Sequence, residues 1–283
     1  MAHARTRRRP GRPAARRSPS PPGRTRAGGR APVTVAPDTR EVVGPAGAPL
    51  IAFVHGSRLT KTSWRAITDR LSDRYRCVCV DLPGHGALAD RPFTIDAAAD
   101  VVDAAIDAEG ADRAVVVGLS LGGYVAMAVA ARAPERVRGL VLAGATAEPS
   151  GPAAGAFRLF AWVLGAAPQR PFDAVSAWFF RRRYGPEIAE PIVAAGNWAK
   201  GGAAAVRTLP RSRFRDRLLA YGGPILVING DLDLVFRLGE RSFLQGVPNV
   251  SRRTLRWTTH LSPLDRPDEF AAAVRRFVER LEG

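Results

Sequence analysis

Residues 114–128 read Ala114-Val115-Val116-Val117-Gly118-Leu119-Ser120-Leu121-Gly122-Gly123-Tyr124-Val125-Ala126-Met127-Ala128. The β-branched run predicts a buried strand, the Gly-x-Ser-x-Gly segment a sharp turn, and the Ala-rich continuation a helix. Such a turn forces its central serine into strained backbone and lifts the hydroxyl above the sheet edge. Gly118 and Gly122 flank it because a Cβ at either place would collide with the neighbouring strand or helix. The helix behind Ser120 aims its unpaired N–H groups at any negative charge developing there. Alone, Gly-x-Ser-x-Gly is also a Gly-rich turn of an α/β sheet. Its position between strand and helix makes Ser120 the candidate nucleophile.

Outward from this stretch, strand and helix signals alternate. Short strands are expected at Val33–Val35 and Glu41–Val43, with firmer ones at Leu50–Val54 and Arg76–Val80. Helices are expected around Trp64–Leu71 and over Thr94–Ala108, with Thr94 as the cap of the second. After the Ser120 helix come a strand at Val137–Ala143, a strand at Gly223–Gly230, a helix at Leu238–Gln245 and a strand at Arg253–Arg256. The last helix is expected over Pro267–Leu281. This alternation implies a mostly parallel α/β sheet with helices on both faces. It breaks between residues 149 and 210, a stretch that holds Phe157, Phe160, Trp162, Trp178, Phe179, Phe180, Tyr184 and Trp198. That stretch reads as short helices inserted into the pattern. Its aromatics serve either as glue to the sheet or as a lid over a substrate pocket. The expected organisation is therefore a tail over residues 1–32, an α/β core over 33–148 and 211–283, and a helical cap over 149–210.

Charge narrows the function classes. The 283 residues carry a formal net charge of +16, which by itself would suggest nucleic acid or an anionic surface. Ten arginines and no acidic residue lie before Ala31, so the rest carries +6. That is the balance of an ordinary basic enzyme, not of a nucleic-acid binder. The tail, rich in Arg, Pro, Ser and Gly, has no apolar run and is expected to be disordered. It lacks the apolar segment of an export signal, and no stretch of the chain is apolar enough to span a bilayer. Cys77 and Cys79 share one face of an expected strand, with no third cysteine to complete a metal site. They read as buried free thiols of a cytoplasmic protein.

A serine hydroxyl needs a base within hydrogen-bond reach, and the base needs a carboxylate to fix its tautomer. Of four histidines, His3 lies in the tail, and His55 and His85 sit in strand-end loops where they would hold backbone. His260 follows the last strand at the same sheet edge as Ser120, and is the candidate base. Asp231 and Asp233 follow the preceding strand, and Glu148 is a more distant acid; Asp233 is preferred. An acyl-transfer site also needs two N–H donors for an oxyanion, expected at Leu121, directly after the nucleophile, and at Ser57.

Phe53-Val54-His55-Gly56-Ser57, Asp81-Leu82-Pro83-Gly84-His85-Gly86, Gly118-Leu119-Ser120-Leu121-Gly122-Gly123, Gly230-Asp231-Leu232-Asp233 and His260-Leu261-Ser262-Pro263 occur in this order. Together they resemble the α/β-hydrolase superfamily from about Val33 to the C-terminus, most weakly in the cap. The resemblance implies an eight-stranded, mostly parallel sheet, a cap after the sixth strand and no cofactor. Its Gly-x-x-Asp pattern favours Asp233 over Asp231. Two features depart from it: Ala87-Leu88-Ala89 where a serine usually follows, and Thr258-Thr259 where the residue before the base is usually glycine.

The expected activity is serine-dependent hydrolysis of an ester, thioester or lactone of a small apolar molecule. Carbon–carbon bond hydrolysis and acyl transfer on the same triad are the alternatives. A ligand-binding receptor without catalysis is the alternative of another class. Dehalogenation is disfavoured, because that branch is similar to this one but with Asp at the nucleophile position.

Overall fold

The computed structural model describes residue 1 and residues 36–283, apart from 152, 153 and 167. The expected tail, and the expected strand at Val33–Val35, lie outside the described residues.

Strand β1 (Arg40–Val43) is followed by β2 (Leu50–Val54), a 3₁₀ turn (Lys61–Trp64), helix α1 (Arg65–Thr68) and β3 (Arg76–Val80). Helix α2 (Ile95–Ala108) starts where expected. The Thr94 side chain accepts a hydrogen bond from the Ala97 N–H at 3.0 Å and satisfies one of the free amides of its first turn. Then come β4 (Ala114–Leu119), α3 (Leu121–Arg132) and β5 (Val137–Ala143). Before the next strand the chain first forms α4 (Ala154–Ala166), α5 (Gln169–Arg183), α6 (Pro186–Ala195) and α7 (Ala199–Thr208). The chain returns through α8 (Phe214–Tyr221) to β6 (Ile225–Gly230), α9 (Leu234–Phe243), β7 (Val250–Leu255), α10 (Ser262–Asp265) and α11 (Pro267–Glu282).

The sheet order is β1-β3-β2-β4-β5-β6-β7, with only β1 antiparallel to its neighbour. The eight strands implied by resemblance are seven among the described residues. The central strand β4 feeds both faces. Ala114 and Val116 enter one apolar cluster with α2, α3 and α8, while Val115, Val117 and Leu119 enter the other with α1 and α11. That alternation is the period-two pattern of a strand buried on both sides. Cys77 and Cys79 are free and buried on the second face. Burial pushes the Cys77 thiol up to about 12 and raises Cys79 as well. No helix among the described residues is long and apolar enough to cross a membrane.

Two elements differ from expectation. Helix α9 begins four residues early, immediately after Asp233, whose carbonyl accepts the Arg237 N–H at 2.9 Å. Strand β7 starts at Val250 rather than Arg253, and its residues Ser251–Thr254 are exposed. An edge strand of this kind presents charge to solvent and carries little apolar signal.

Candidate active site

Ser120 has φ 53° and ψ −115°, backbone that few side chains tolerate. Its N–H donates to the Ala143 carbonyl at 2.8 Å, which ties the turn to the end of β5. A Cβ on Gly118 would overlap the Gly122 carbonyl, and one on Gly122 the Val54 carbonyl. Strand and helix approach closely enough to make the turn only because both positions lack a side chain. Leu121 opens α3, so its N–H has no carbonyl one turn back.

Asp233 ends the turn after β6 and is only 5% exposed. The His260 Nδ1–H donates to its Oδ2 at 2.8 Å. This bond fixes the tautomer and leaves Nε2 as the free nitrogen. Phe236, on the first turn of α9, stacks on the His260 ring with centroids 4.9 Å apart and an interplanar angle of 19°. From the other side the ring meets Gly144, at φ +55°, where a Cβ would lie 2.6 Å from His260 Cε1. Ser120 is thus tied to Ala143 while His260 rests on Gly144, the next residue along the same strand end. Asn229 secures that strand end. Its Oδ1 accepts the Gly144 N–H at 2.9 Å, and its Nδ2 donates to Thr146 Oγ1 at 2.9 Å and Glu240 Oε2 at 2.7 Å. Sequence reasoning passed over Asn229; the signal was an amide at the end of an otherwise apolar buried strand.

The competing acids are occupied elsewhere. Asp231 Oδ1 accepts the Thr258 N–H at 3.0 Å. The backbone N–H groups of Trp257 and then Thr258 hold its carboxyl below the usual range. On the far side of the loop, Asp265 Oδ2 accepts both the N–H and the hydroxyl of Thr259, each at 2.6 Å. The two threonines that stand where a glycine is usual are therefore clamped from both sides. Left-handed backbone is taken instead by Trp257, at φ 57°. Glu148 accepts the N–H groups of Phe214 and Arg215 at 3.2 and 2.9 Å and caps the start of α8.

The remaining described histidines hold backbone. The Nδ1–H of His55 donates to the Gly56 carbonyl at 2.8 Å, and its Nε2 accepts the Leu82 N–H at 3.0 Å. His85 repeats the arrangement, donating to Pro83 and accepting from the Arg58 N–H at 3.4 Å. A second proton on either ring would face an N–H, so both rings stay neutral. Burial lowers the pKa of His55, and brings that of His85 down to about 3. Beside them the buried Asp81 takes the Lys61 ammonium at 2.6 Å and the N–H groups of Lys61 and Ala87.

Ser120, Leu121, Asp233 and His260 line one cavity of about 320 Å³ together with Gly56, Ser57 and Arg58. Tyr124, Phe157, Phe160, Val206, Leu209, Val235 and Phe236 give it apolar walls. Four of these, Phe157 and Phe160 of α4, Val206 of α7 and Leu209 just beyond it, come from the helices inserted between β5 and β6. Among the described residues no three His, Cys, Asp or Glu side chains gather into a metal-binding set.

Comparison with known proteins agrees with this architecture. The chain is 27% identical over 247 residues to 3-oxoadipate enol-lactonase 2 of Acinetobacter baylyi, covering 84% of this chain and 91% of that enzyme. A shorter match, 39% identical over 99 residues, links it to the pimeloyl-[acyl-carrier protein] methyl ester esterase of Nitrosomonas europaea. This match covers 35% of this chain and 38% of the esterase. Among solved structures, a thermophilic esterase from Thermogutta terrifontis superposes with a TM-score of 0.71 at 27% identity, covering 86% of this chain and 93% of the other. The model of the alpha/beta hydrolase family matches residues 51–273, from the second strand into the last helix. With sheet, turn and family model all in agreement, the chain belongs to the alpha/beta hydrolase family and is a hydrolase.

Proposed function

We propose that the protein cleaves an ester, thioester or lactone of a small, largely apolar substrate through an acyl-enzyme on Ser120. The Ser120 hydroxyl attacks the carbonyl carbon while His260 Nε2 takes its proton. Asp233 orients the imidazole and balances the charge that forms on it. The N–H groups of Leu121 and Ser57 hold the oxyanion of the tetrahedral intermediate. His260 then returns the proton to the leaving alcohol or thiol. Water, deprotonated by the same imidazole, releases the acid. Helices α4 to α7 act as a cap that excludes bulk water from the acyl group. The free, buried thiols Cys77 and Cys79 suit the reducing cytoplasm.

One feature carries this reading: a serine in strained backbone and a half-buried His260 bonded to the buried Asp233 open onto the same cavity. The esterase and lactonase names of the relatives support the ester or lactone class. The test is labelling by a fluorophosphonate together with turnover of p-nitrophenyl esters of graded chain length. Wild type is expected to be labelled and Ser120→Ala not. Asp233→Asn is expected to lose about 10⁴-fold in kcat, and Asp231→Asn far less. Equal labelling of wild type and Ser120→Ala would remove the nucleophile. A dead Asp231→Asn beside an active Asp233→Asn would move the acid.

A further inference from the structure

Arg58 follows Ser57 and projects from left-handed backbone, at φ 71°. That backbone is fixed at both ends, its N–H on His85 Nε2 at 3.4 Å and its carbonyl on the Trp198 N–H at 3.0 Å. The side chain leaves the strand end between two cavities. One is the Ser120 cavity; the other, of about 40 Å³, lies under α5 and α6 and is lined by Arg58, Asp173 and Asn197 among others. Arg58 is half-buried, and its guanidinium stands over the Phe172 ring, 5.6 Å from its centroid.

A guanidinium offers five N–H donors, and among the described residues none of those of Arg58 meets an acceptor. Asp173, on the wall of the smaller cavity, accepts instead from Gln169 Nε2 at 2.7 Å and forms no ion pair with Arg58. Other half-buried arginines are paired, as Arg76 is with Glu109 at 2.8 Å and Arg136 with Asp107 at 2.6 Å. Removal from water without a counter-charge lowers the Arg58 pKa, and no carboxylate offsets it. Stacking on one aromatic ring recovers only part of such a desolvation. A half-buried cation with no acceptor among the described residues, one residue from Ser57 and on the wall of the Ser120 cavity, is the arrangement a bound anion completes.

We propose that Arg58 receives a carboxylate on the acyl part of the substrate, so that the enzyme takes half-esters or lactones of dicarboxylic acids. The apolar walls hold the methylene or ring spacer, and the fork of the guanidinium holds the distal carboxylate in two hydrogen bonds. This rests on the hydrolase reading for the position of the scissile carbonyl at Ser120. The anion subsite itself does not.

Two measurements separate the two claims. The first needs no turnover: titrate Ser120→Ala with succinate, glutarate and adipate by calorimetry, and repeat with Ser120→Ala/Arg58→Leu. Saturable binding of at least one dianion is expected, weakened about 100-fold by the second substitution and partly kept by Arg58→Lys. No binding, or binding indifferent to Arg58, overturns the subsite. The second compares kcat/KM for monomethyl esters of the same diacids with methyl esters of monoacids of equal length. Wild type is expected to prefer the carboxylated series, and Arg58→Leu to reduce that ratio about 100-fold. An equal loss on both series means that Arg58 only supports the fold, and overturns the proposal. Turnover of neither series while dianions bind through Arg58 would instead count against the hydrolase reading and leave the anion subsite standing.

Discussion

The turn at Ser120 and helix α4 are built from comparably apolar sequence, yet they use it in opposite ways. Between Ala114 and Ala130 every residue is buried except Ser120 itself. Across the 13 residues of α4 only Ala154, Ala161 and Leu164 are buried, and across the 15 of α5 only Phe180. Leu159, Trp162 and Trp178 are 61%, 64% and 67% exposed. The first region is held by neighbours on all sides, so its strained serine cannot relax. The second touches the rest of the molecule through a narrow set of contacts, chiefly α4 on α7 and α5 on α6. Strain is sustained where the surroundings over-determine it, and helices α4 to α7, the proposed cap, have no such surroundings.

The same small substitution should therefore have its largest effect in the first region. Gly122→Ala sets a methyl group against the carbonyls of Val54 and His55, which are backbone and cannot rotate away. We expect a loss of more than ~3 kcal/mol, read as a large fall in the urea midpoint, with turnover lost alongside it. A variant that unfolds like wild type would mean that strand and helix are less tightly apposed than the geometry states, and the contrast with the cap would weaken.

That tightness is also why one region could be read from sequence and the other could not. Close approach excludes every residue but glycine at 118 and 122, and a buried strand excludes polar side chains from 114 to 117, so few sequences satisfy the turn. The contact between Asp233 and His260 was legible because each follows a strand at the same edge, and the Gly-x-x-Asp pattern of the resemblance favoured Asp233 over Asp231. An amide at the end of an apolar strand marks Asn229 as a residue with a buried bond to make, but sequence alone does not name Gly144 as its partner. Strand β7 was misjudged by three residues because an edge strand carrying Arg252 and Arg253 lacks the apolar alternation. Residues 149–210 were legible only as helical and aromatic. Which aromatic lines the cavity, as Phe157 and Phe160 do, and which faces solvent, as Trp162 does, depends on the angle at which each helix crosses the core. Composition does not encode that angle.

Acid should separate the regions next. The loops beneath the turn contain His55 and His85 as neutral rings, whereas the cap has no histidine. In the unfolded chain a histidine takes its proton near pH 6.5, but His85 folded does so only near 3. Between these values the unfolded state binds the extra proton, so stability is complete above pH 6.5 and declines as pH falls. The slope from His85 is roughly 1.4 kcal/mol per pH unit. Urea titrations at pH 7, 6, 5 and 4 should show that decline, and His85→Gln should make it shallower. An unchanged slope in the variant would mean that the loop opens before the ring takes its proton, and that the region is less rigid than its burial implies.

The cap supplies the smallest effects, and they sharpen the comparison most. Gly155 lies in the first turn of α4, with nothing within 4 Å of where its Cβ would be. Gly155→Ala should leave stability unchanged or raise it by up to about 1 kcal/mol, since alanine loses less backbone freedom in a helix. Trp162→Ser removes a large ring that the fold leaves mostly in water, and should shift stability by no more than ~0.5 kcal/mol. Measured beside Gly122→Ala by the same urea titration, these two variants ask whether burial or chemical type decides tolerance. If Trp162→Ser cost as much as a core truncation, about 3–5 kcal/mol, the exposed face of α4 would have to be covered in solution. The cap would then be as constrained as the turn, by a partner rather than by its own chain. If the cost is small, the cap is the part of this molecule in which sequence can change while the strained serine and its Asp233–His260 pair stay as they are. Families that keep one chemistry and vary their substrates need such a division.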